Sequence, residues 1–338
     1  MKKIISFLKT DIKIINSYFL FAIILIILVC VGYSSYALFS FTKTSNNVIE
    51  GTVGELKKSG VDTLIKLTDN TIDSGLYTIT HAKDTTLQIG NDKDITEYRY
   101  RGANPKNYVT FNNETWRILG VFPTDDGTGK IENRIKIIRN ESIGNKYWNT
   151  TKVSSTNTYN NWTGATLKTE LNETYLNALS PTAQNMIGDA KYYLGGGGNN
   201  SNFNSSVDFY FYERKIKNTK SNEFYYGTNP NSFIGKLALM YASDYGYAAS
   251  DECTQNLYNY YNAICKNNNW LFKGMDEWLL LQYAIHSDFA FGVRSGGRAV
   301  SDRVYYNQYA VRPVLYLISS AQITGGNGTS TSPYTLGL

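Results

Sequence analysis

Few residues of this chain are suited to catalytic or redox chemistry. Its 338 residues include only two histidines, His81 and His286, and three cysteines. A catalytic triad or a zinc site needs several such groups, and neither histidine stands at ligand spacing to another candidate. The adjacent carboxylates Asp125–Asp126 and Asp251–Glu252 lie in turn-like segments, where we expect solvated side chains rather than a catalytic pair. The sequence therefore predicts no catalytic residue, no metal site and no cofactor.

Two of the three cysteines are candidates for a disulfide bond. Cys253 and Cys265 are separated by eleven residues of an Asn- and Tyr-rich segment. Outside the cytoplasm such a pair is expected to form a disulfide bond, and closing so short a loop contributes about 3 kcal/mol to stability. Cys30 lies in an apolar stretch, where we expect a small buried hydrophobe. We therefore predict one disulfide bond, between Cys253 and Cys265.

Arg312 precedes Pro313 in the strand-like segment Val311–Leu317. An arginine in such a strand must pair with a carboxylate or reach the surface, and we favour a buried structural ion pair. Asp302 is one candidate acid, and Asp244, in a Ser-Asp-Tyr-Gly turn, is another. Asp244 and Arg312 are therefore a predicted ion pair, either structural or part of a site.

Tyrosine is abundant, with 28 residues against 15 phenylalanines and 5 tryptophans. Tyr and Trp rings bind sugars and proteins at little entropic cost, although β-propensity and core filling explain the same excess. We predict a binding surface on the loops of residues 258–269 and 287–306 and on neighbouring aromatic side chains. Its candidate residues are Tyr258, Tyr260, Tyr261, Trp270, Trp278, Arg298, Tyr305 and Tyr306.

The amino-terminal region has the pattern of a segment that enters lipid. No charged residue occurs in residues 14–41, and a mostly apolar helix of this length crosses a hydrocarbon core of about 30 Å. Four lysines in the first thirteen residues place the amino terminus in the cytoplasm and the rest of the chain outside. We therefore predict the membrane as a partner through residues 14–41, in a single-pass protein. The alternative is secretion after cleavage near Ala37, because Ser35-Tyr36-Ala37 has the form of a signal-peptidase site.

Most of the remaining elements are predicted to be short strands. β-favouring residues in 114–122 and 134–139, with a turn at 125–127 between them, predict a β-hairpin. The four glycines of residues 195–198 predict a flexible loop, and they lack the Gly-Lys-Ser/Thr that follows in a phosphate loop.

Helical periodicity is confined to short segments. An amphipathic helix is predicted by apolar residues at four-residue intervals, Leu167, Leu171, Tyr175 and Leu179. Ser180 followed by Pro181 predicts the capped start of a second short helix. A third is predicted near residues 61–65.

These elements predict an α+β chain in three parts. Residues 1–41 are the basic tail and hydrophobic membrane segment, which is a transmembrane helix or a signal segment. Residues 42–97 are a polar spacer or small subdomain. Residues 98–338 are a β-rich extracytoplasmic domain with two or three short helices.

Residues 98–317 contain a series of short motifs whose order along the chain can be compared with that of known families. They are Trp116–Leu119, Leu171–Leu176, Ser180–Ile187, Ala242–Gly246, Trp270, Gly296–Arg298 and Val311–Leu317. In these motifs the chain resembles an uncharacterised bacterial surface-domain family, known only as a domain of unknown function. More distantly it resembles the C-type-lectin-like fold of formylglycine-generating enzymes. Where relatives carry an arginine and a proline after tryptophan, this chain reads Glu277–Leu281, so any role of those residues does not carry over.

The predicted function follows from the outward domain and the scarcity of catalytic groups. The net charge is +5, with four lysines in the amino-terminal tail and a nearly neutral remainder, so no nucleic-acid partner is predicted. We predict a bacterial cell-surface binding or interaction protein whose ligand is a glycan, an envelope polymer or a protein. The alternatives are a structural or stalk component of the envelope, and an envelope enzyme that acts on polysaccharide or modifies proteins.

Overall fold

The structure is a computed structural model, in which the chain divides into two units, Met1–Lys57 and Lys58–Leu338. It describes residues 22–29, 59–150, 159–197, 205–216, 229–284 and 286–338. Residues 22–29 of the first unit are helical. Within the described ranges, no helix combines the length and the apolar character needed to cross a bilayer. The rest of the predicted membrane segment, residues 14–41, and the predicted cleavage site at Ala37 lie outside those ranges, so both stay predictions.

The second unit is α+β, with mostly sheet and a few short helices, as predicted. Its main sheet has seven antiparallel strands in the order β1-β2-β4-β5-β15-β10, with β3 paired to β4. The strands are β1 Gly75–His81, β2 Ile95–Arg101, β3 Tyr108–Phe111, β4 Glu114–Asp125, β5 Ile131–Arg139, β10 Leu237–Ala238 and β15 Val314–Tyr316. The long β4–β5 pair is the predicted hairpin, which is confirmed.

A second sheet of six strands has the order β13-β12-β11-β14-β6, with β8 paired to β11. Its strands are β6 Asn145–Lys146, β8 Gly196–Gly197, β11 Glu277–Tyr283, β12 Phe289–Val293, β13 Ala299–Arg303 and β14 Tyr309–Ala310. Two small pairs complete the strands, β7 Ala190–Tyr193 with β9 Ser232–Gly235 and β16 Gln322–Gly325 with β17 Thr335–Gly337.

The helices are short and lie between the strands. They are α1 Gly60–Ile65, α2 residues 166–178, α3 Pro181–Met186, α4 Ser206–Arg214, α5 Ala242–Tyr247 and α6 Ala263–Asn267, with 3₁₀ turns at Trp162–Gly164 and Leu257–Asn259. The predicted amphipathic helix is α2, whose middle, Glu170–Tyr175, is π-helical. The Ser180 hydroxyl accepts the N–H of Ala183, which confirms the predicted start of α3. The helix predicted near residues 61–65 is α1.

The side-chain amide of Asn172 protects an edge of the main sheet. Asn172 lies in the π-helical part of α2. Its Nδ2 donates to the carbonyl of Leu237 at 2.8 Å, and its Oδ1 accepts the N–H of Leu237 at 3.0 Å. An exposed strand edge is a template for unwanted pairing. The amide replaces the missing neighbour of the short strand β10.

One hydrophobic core joins the two sheets. It includes the buried indole rings of Trp148, Trp162 and Trp278. The Trp148 ring makes edge-to-face contacts with the other two, at centroid distances of 5.0 Å to Trp162 and 5.9 Å to Trp278. Aromatic pairs in this geometry stabilise the fold beyond the area they bury. Much of the tryptophan content therefore serves packing.

The predicted domain boundary at residue 98 is wrong, because it falls inside β2. Residues 59–97 were expected to form a spacer or separate subdomain, yet β1 pairs with β2 along its whole length in the main sheet. Helix α1 buries Val61 and Leu64 in the common core. The sequence does not reveal that β1 and β2 belong to the main sheet. Both strands contain many polar residues, and the loop between them, residues 82–94, is polar as well. The part of the predicted spacer before residue 59 lies outside the described ranges.

The predicted flexible loop at the glycines of residues 195–198 is also wrong for the part that the structure describes. Gly196 and Gly197 form β8, which pairs in parallel with β11, and both residues are buried. A Cβ atom on Gly195 would lie 2.0 Å from the carbonyl oxygen of Tyr212, so glycine permits the close approach of α4. These glycines serve close packing, and Gly198 lies outside the described ranges.

Candidate functional site

A disulfide-closed segment forms the base of the candidate site. Cys253 and Cys265 are bonded, as predicted, with their Cα atoms 4.7 Å apart. Inside the loop, the side chain of Asn256 accepts the N–H of Asn259 at the 3₁₀ turn, and that of Asn262 begins α6. Asparagine is a favoured residue for such caps. The Asn-rich sequence is therefore ordered by its own side chains and by the disulfide bond.

The tyrosines of this segment divide between core and surface. Leu257, Tyr260 and Cys265 are buried, and the Tyr260 hydroxyl donates to the carbonyl of Gly246 at 3.0 Å. Tyr258 is half-buried, whereas the Tyr261 side chain is 49% exposed. The buried residues anchor the segment, and Tyr261 is its exposed tyrosine.

Arg298 completes a surface that we call the Tyr–Arg patch, made of Tyr258, Tyr261 and Arg298. The guanidinium carbon of Arg298 lies 4.9 Å from the centroid of each tyrosine ring. Cation–π contacts of this kind hold a guanidinium in place without neutralising its charge. Within the described ranges no carboxylate oxygen lies within 4.0 Å of Arg298. No carboxylate of the described residues therefore neutralises its positive charge.

The turn before Arg298 fixes its position. Gly297 has a φ of +102°, a conformation that favours glycine, and its carbonyl accepts the Tyr245 hydroxyl at 2.7 Å. Tyr245 is fully buried in α5. A buried side chain thus ties the turn between β12 and β13 to the core beneath the patch.

Three residues of the predicted binding surface are core residues, and their assignment is corrected. Tyr260, Trp270 and Trp278 are buried. The indole nitrogen of Trp270 donates to the Tyr100 carbonyl at 2.8 Å, and that of Trp278 donates to the Lys146 carbonyl at 2.9 Å. Their rings join separate parts of the chain, so they offer no face to a ligand. The alternative interpretation, core filling, holds for these three.

Tyr305 and Tyr306 lie beyond the opposite end of β13 from Arg298. The five residues of this strand, Ala299–Arg303, span about 17 Å. Tyr305 packs against Tyr159 with a centroid distance of 5.5 Å, and Tyr306 is 73% exposed. The structure therefore divides the predicted surface, and only Tyr258, Tyr261 and Arg298 form one cluster.

The predicted ion pair between Asp244 and Arg312 is wrong in its pairing. Arg312 forms a two-pronged contact with Glu277, from Nε at 2.7 Å and Nη2 at 2.8 Å. Asp244 accepts from Arg99 at 2.9 Å and from Lys136. Each residue has a buried partner of opposite charge, as buried charges require. Nothing in the sequence indicated which buried carboxylate would pair with which basic side chain.

Asp244 belongs to a buried network of charges beside the main sheet. Arg99 bridges Asp244 and Glu97, with a distance of 2.7 Å between its Nη2 and Glu97 Oε2. Burial alone would raise the pKa of Glu97, but Arg99, His81 and Arg214 together hold this pKa far below its ordinary value. Glu97 is therefore ionised inside the fold.

The network continues into helices α4 and α5. Glu213 accepts the N–H and hydroxyl of Ser243 at 2.8 and 2.5 Å and a bond from Arg214 at 2.8 Å. Burial raises the pKa of Glu213 to about 7 against the effect of these donors. His81, predicted to lie in the spacer, stacks on Tyr210 with a centroid distance of 3.5 Å. Burial lowers the pKa of His81.

This network has the residue types of a catalytic cluster, but its side chains are not accessible to a substrate. Its charged side chains are at most 4% exposed, and they bond mainly to one another. Five of its residues were not predicted from the sequence, namely Glu97, Arg99, Lys136, Glu213 and Arg214. The signal that could have revealed them is a charge inside an apolar pattern, such as the lysine of Arg134–Arg139. In the described ranges no group of three or more His, Cys, Asp or Glu residues could hold a metal ion.

The adjacent carboxylates lie at or beside turns; Asp251 and Glu252 are exposed, as expected, whereas the side chain of Asp125, the last residue of β4, is only 13% exposed. Asp125 and Asp126 accept backbone N–H groups at the end of the β4–β5 hairpin. Asp251, which is largely exposed, pairs with Arg101. Neither pair faces another carboxylate across a cleft in the described contacts.

Comparisons with known proteins found no family model, no curated protein and no solved structure that matches this chain. Function is therefore inferred from the geometry of the Tyr–Arg patch and from the sequence. The resemblance to a bacterial surface-domain family stays a prediction.

Proposed function

We propose that this chain is a binding protein of the bacterial cell surface, and that its Tyr–Arg patch holds an acidic glycan or anionic envelope polymer. The apolar segment of residues 14–41 is its predicted membrane anchor. The disulfide bond between Cys253 and Cys265 suits an oxidising, extracytoplasmic compartment. We also propose that the domain has the C-type-lectin-like fold that its sequence motifs resemble.

The observation that carries the proposal is Arg298, which has no carboxylate within 4.0 Å among the described residues and whose guanidinium carbon lies 4.9 Å from the centroids of two tyrosine rings. A guanidinium presents a planar fork of donors that matches carboxylate and phosphate groups. Tyrosine faces offer stacking area for sugar rings. Arg298, at the turn between β12 and β13, supplies the donors, and Tyr261 in the disulfide-closed segment supplies an exposed ring 4.9 Å from its guanidinium carbon.

Preorganisation supports binding at this site. A surface loop loses conformational freedom when it binds, and rigid loops lose less. Here the disulfide bond, the buried Tyr260 and the Tyr245–Gly297 hydrogen bond hold the patch in place. The enzymatic alternative is weaker, because the described carboxylates of the buried network bond internally. A structural or stalk role remains the second candidate.

Binding of residues 58–338 to purified envelope polymers and to arrays of acidic and neutral glycans tests the proposal. We expect binding to carboxylate- or phosphate-bearing chains that weakens with salt. Arg298→Gln should weaken it about tenfold, because a charge-assisted hydrogen bond is lost. Tyr261→Ala should weaken it several-fold through the lost ring contact.

The matched controls are Arg303→Gln and Tyr306→Ala, which alter exposed residues at the other end of β13. Both should bind as the unaltered fragment does. Binding to no polymer or glycan would favour the structural role. Equal losses in the control variants would contradict the assignment of the patch.

A further inference from the structure

A groove of about 710 Å³ lies between helix α1, the start of β1 and the β16–β17 hairpin. Its apolar walls include Leu67, Ile72, Leu76 and Ile323. Leu67 is 48% exposed and Ile72 is 40% exposed. Ligand pockets of this size are usually lined by apolar side chains with a few placed polar groups. The groove shares no residue with the Tyr–Arg patch.

A buried tyrosine supplies the first polar group. Tyr100 lines the groove and is only 4% exposed. Its hydroxyl makes no hydrogen bond to any described group, and a buried hydroxyl without a partner is costly. Tyr334 also lines the groove; its side chain approaches that of Tyr100 closely enough to influence the pKa of both, although the pair does not meet the distance and angle of a hydrogen bond. Burial raises the pKa of both, so each keeps its proton as a donor.

A lysine supplies the charge. Lys106 is the one charged residue among the described residues that line this groove. It is exposed, and no described carboxylate lies within 4.0 Å of it. Its chain segment is close to Tyr334, because a Cβ on Gly328 would meet both the Lys106 carbonyl at 2.3 Å and the Tyr334 ring at 2.5 Å. An ammonium group and two tyrosines thus stand at one apolar groove.

We infer that this groove binds a single-chain amphiphile with a carboxylate head, the chemistry of a fatty acid. The alkyl chain covers Leu67, Ile72 and Ile323, and burial of these exposed side chains drives binding. The carboxylate accepts the Tyr100 hydroxyl and pairs with Lys106. A cationic head is disfavoured, because Lys106 would repel it and the described lining contains no acidic residue to pair with it.

Displacement of a dansyl-labelled undecanoic acid from residues 58–338 tests the inference. These residues form one unit with a common core, and a cooperative thermal transition will confirm that the fragment is folded. Decanoate should displace the probe at a concentration at least about tenfold lower than decylamine. Decanol, which has the same chain without the charge, should lie between them.

Variants separate the contributions of head and chain. Lys106→Gln should weaken decanoate binding about two- to fivefold, as an exposed ion pair does, and leave decanol unchanged. Tyr100→Phe should weaken decanoate binding about tenfold. Lys130→Gln and Tyr306→Phe, at exposed positions outside the groove, are the controls and should bind normally.

Three outcomes would overturn the inference. The first is no displacement by any of the three amphiphiles. The second is equal displacement by all three, or decanoate binding that Lys106→Gln and Tyr100→Phe leave intact. The third is a fragment that is dimeric in sedimentation and becomes monomeric with Leu67→Asp, because a second copy would then fill the groove.

Discussion

Arg312 and Glu277 illustrate how single residues are constrained in this fold. Both side chains are buried, and the guanidinium contacts both carboxylate oxygens. Removing two charges from water is expensive, and their attraction offsets the cost only when the geometry is good. Loss of one partner leaves the other charge buried without compensation.

Glu277→Gln should therefore lower the free energy of unfolding by about 3–5 kcal/mol. The double variant Glu277→Leu/Arg312→Met should recover much of this loss, because it removes both charges. Urea denaturation of residues 58–338 measures both. Glu141→Gln, at an exposed position, is the control and should change stability little. A double variant that is as unstable as Glu277→Gln, or more so, would contradict the account.

At the level of elements, the Cys253–Cys265 segment connects stability with the proposed binding. It carries Tyr258 and Tyr261, and its buried residues anchor it to the core. The main sheet has its own long strand pairs, such as β4 with β5. Loss of the disulfide bond should therefore affect the patch more than the sheet.

Cys253→Ser/Cys265→Ser should lower the free energy of unfolding by about 3 kcal/mol through the entropy of the open loop. Polymer binding should weaken as well, because Tyr258 and Tyr261 lose their fixed position beside Arg298. Thermal unfolding and binding to the same polymers measure the two effects. A reducing agent should reproduce them in the unaltered fragment and leave the double variant unchanged. Undiminished binding by the double variant would show that preorganisation is unimportant.

At the scale of the whole molecule, the buried charge network joins β1, β2, β5, α4 and α5. Glu97 is central to it, because its pKa in the fold lies far below the ordinary value of 4.5. As the pH falls below about 4.5, the unfolded chain takes up this proton before the folded chain does. The stability from Glu97 is therefore present above that pH and is lost as the pH falls toward the folded pKa.

Glu97→Gln should destabilise residues 58–338 by about 3–5 kcal/mol at pH 7, because Arg99 and Arg214 lose a buried partner. The difference from the unaltered fragment should shrink steadily from pH 4.5 to pH 2.5. Urea denaturation at several pH values measures it. Glu252→Gln, at an exposed position, should show no such trend. A difference that stays constant with pH would refute the role of this carboxylate.

Local signals determined much of this protein from its sequence. Alternation and a turn predicted the β4–β5 hairpin, four-residue spacing predicted α2, and Ser180 with Pro181 predicted the start of α3. Cys253 and Cys265, separated by eleven residues and expected outside the cytoplasm, were predicted to form the disulfide bond that the structure contains. Each signal is carried by residues near one another in the chain, so local physics suffices.

Only the tertiary structure decided which distant residues meet. Nothing local shows that Arg312 faces Glu277 rather than Asp244, or that Tyr260 turns inward while Tyr261 turns outward. The same holds for residues 59–97, whose strands join a sheet completed by residues far along the chain. Partner choice depends on how strands pair and helices pack across the core, and that geometry exists only in the folded chain. The sequence thus supplied the aromatic and charged residues of the patch, and the fold selected Tyr258, Tyr261 and Arg298 from among them.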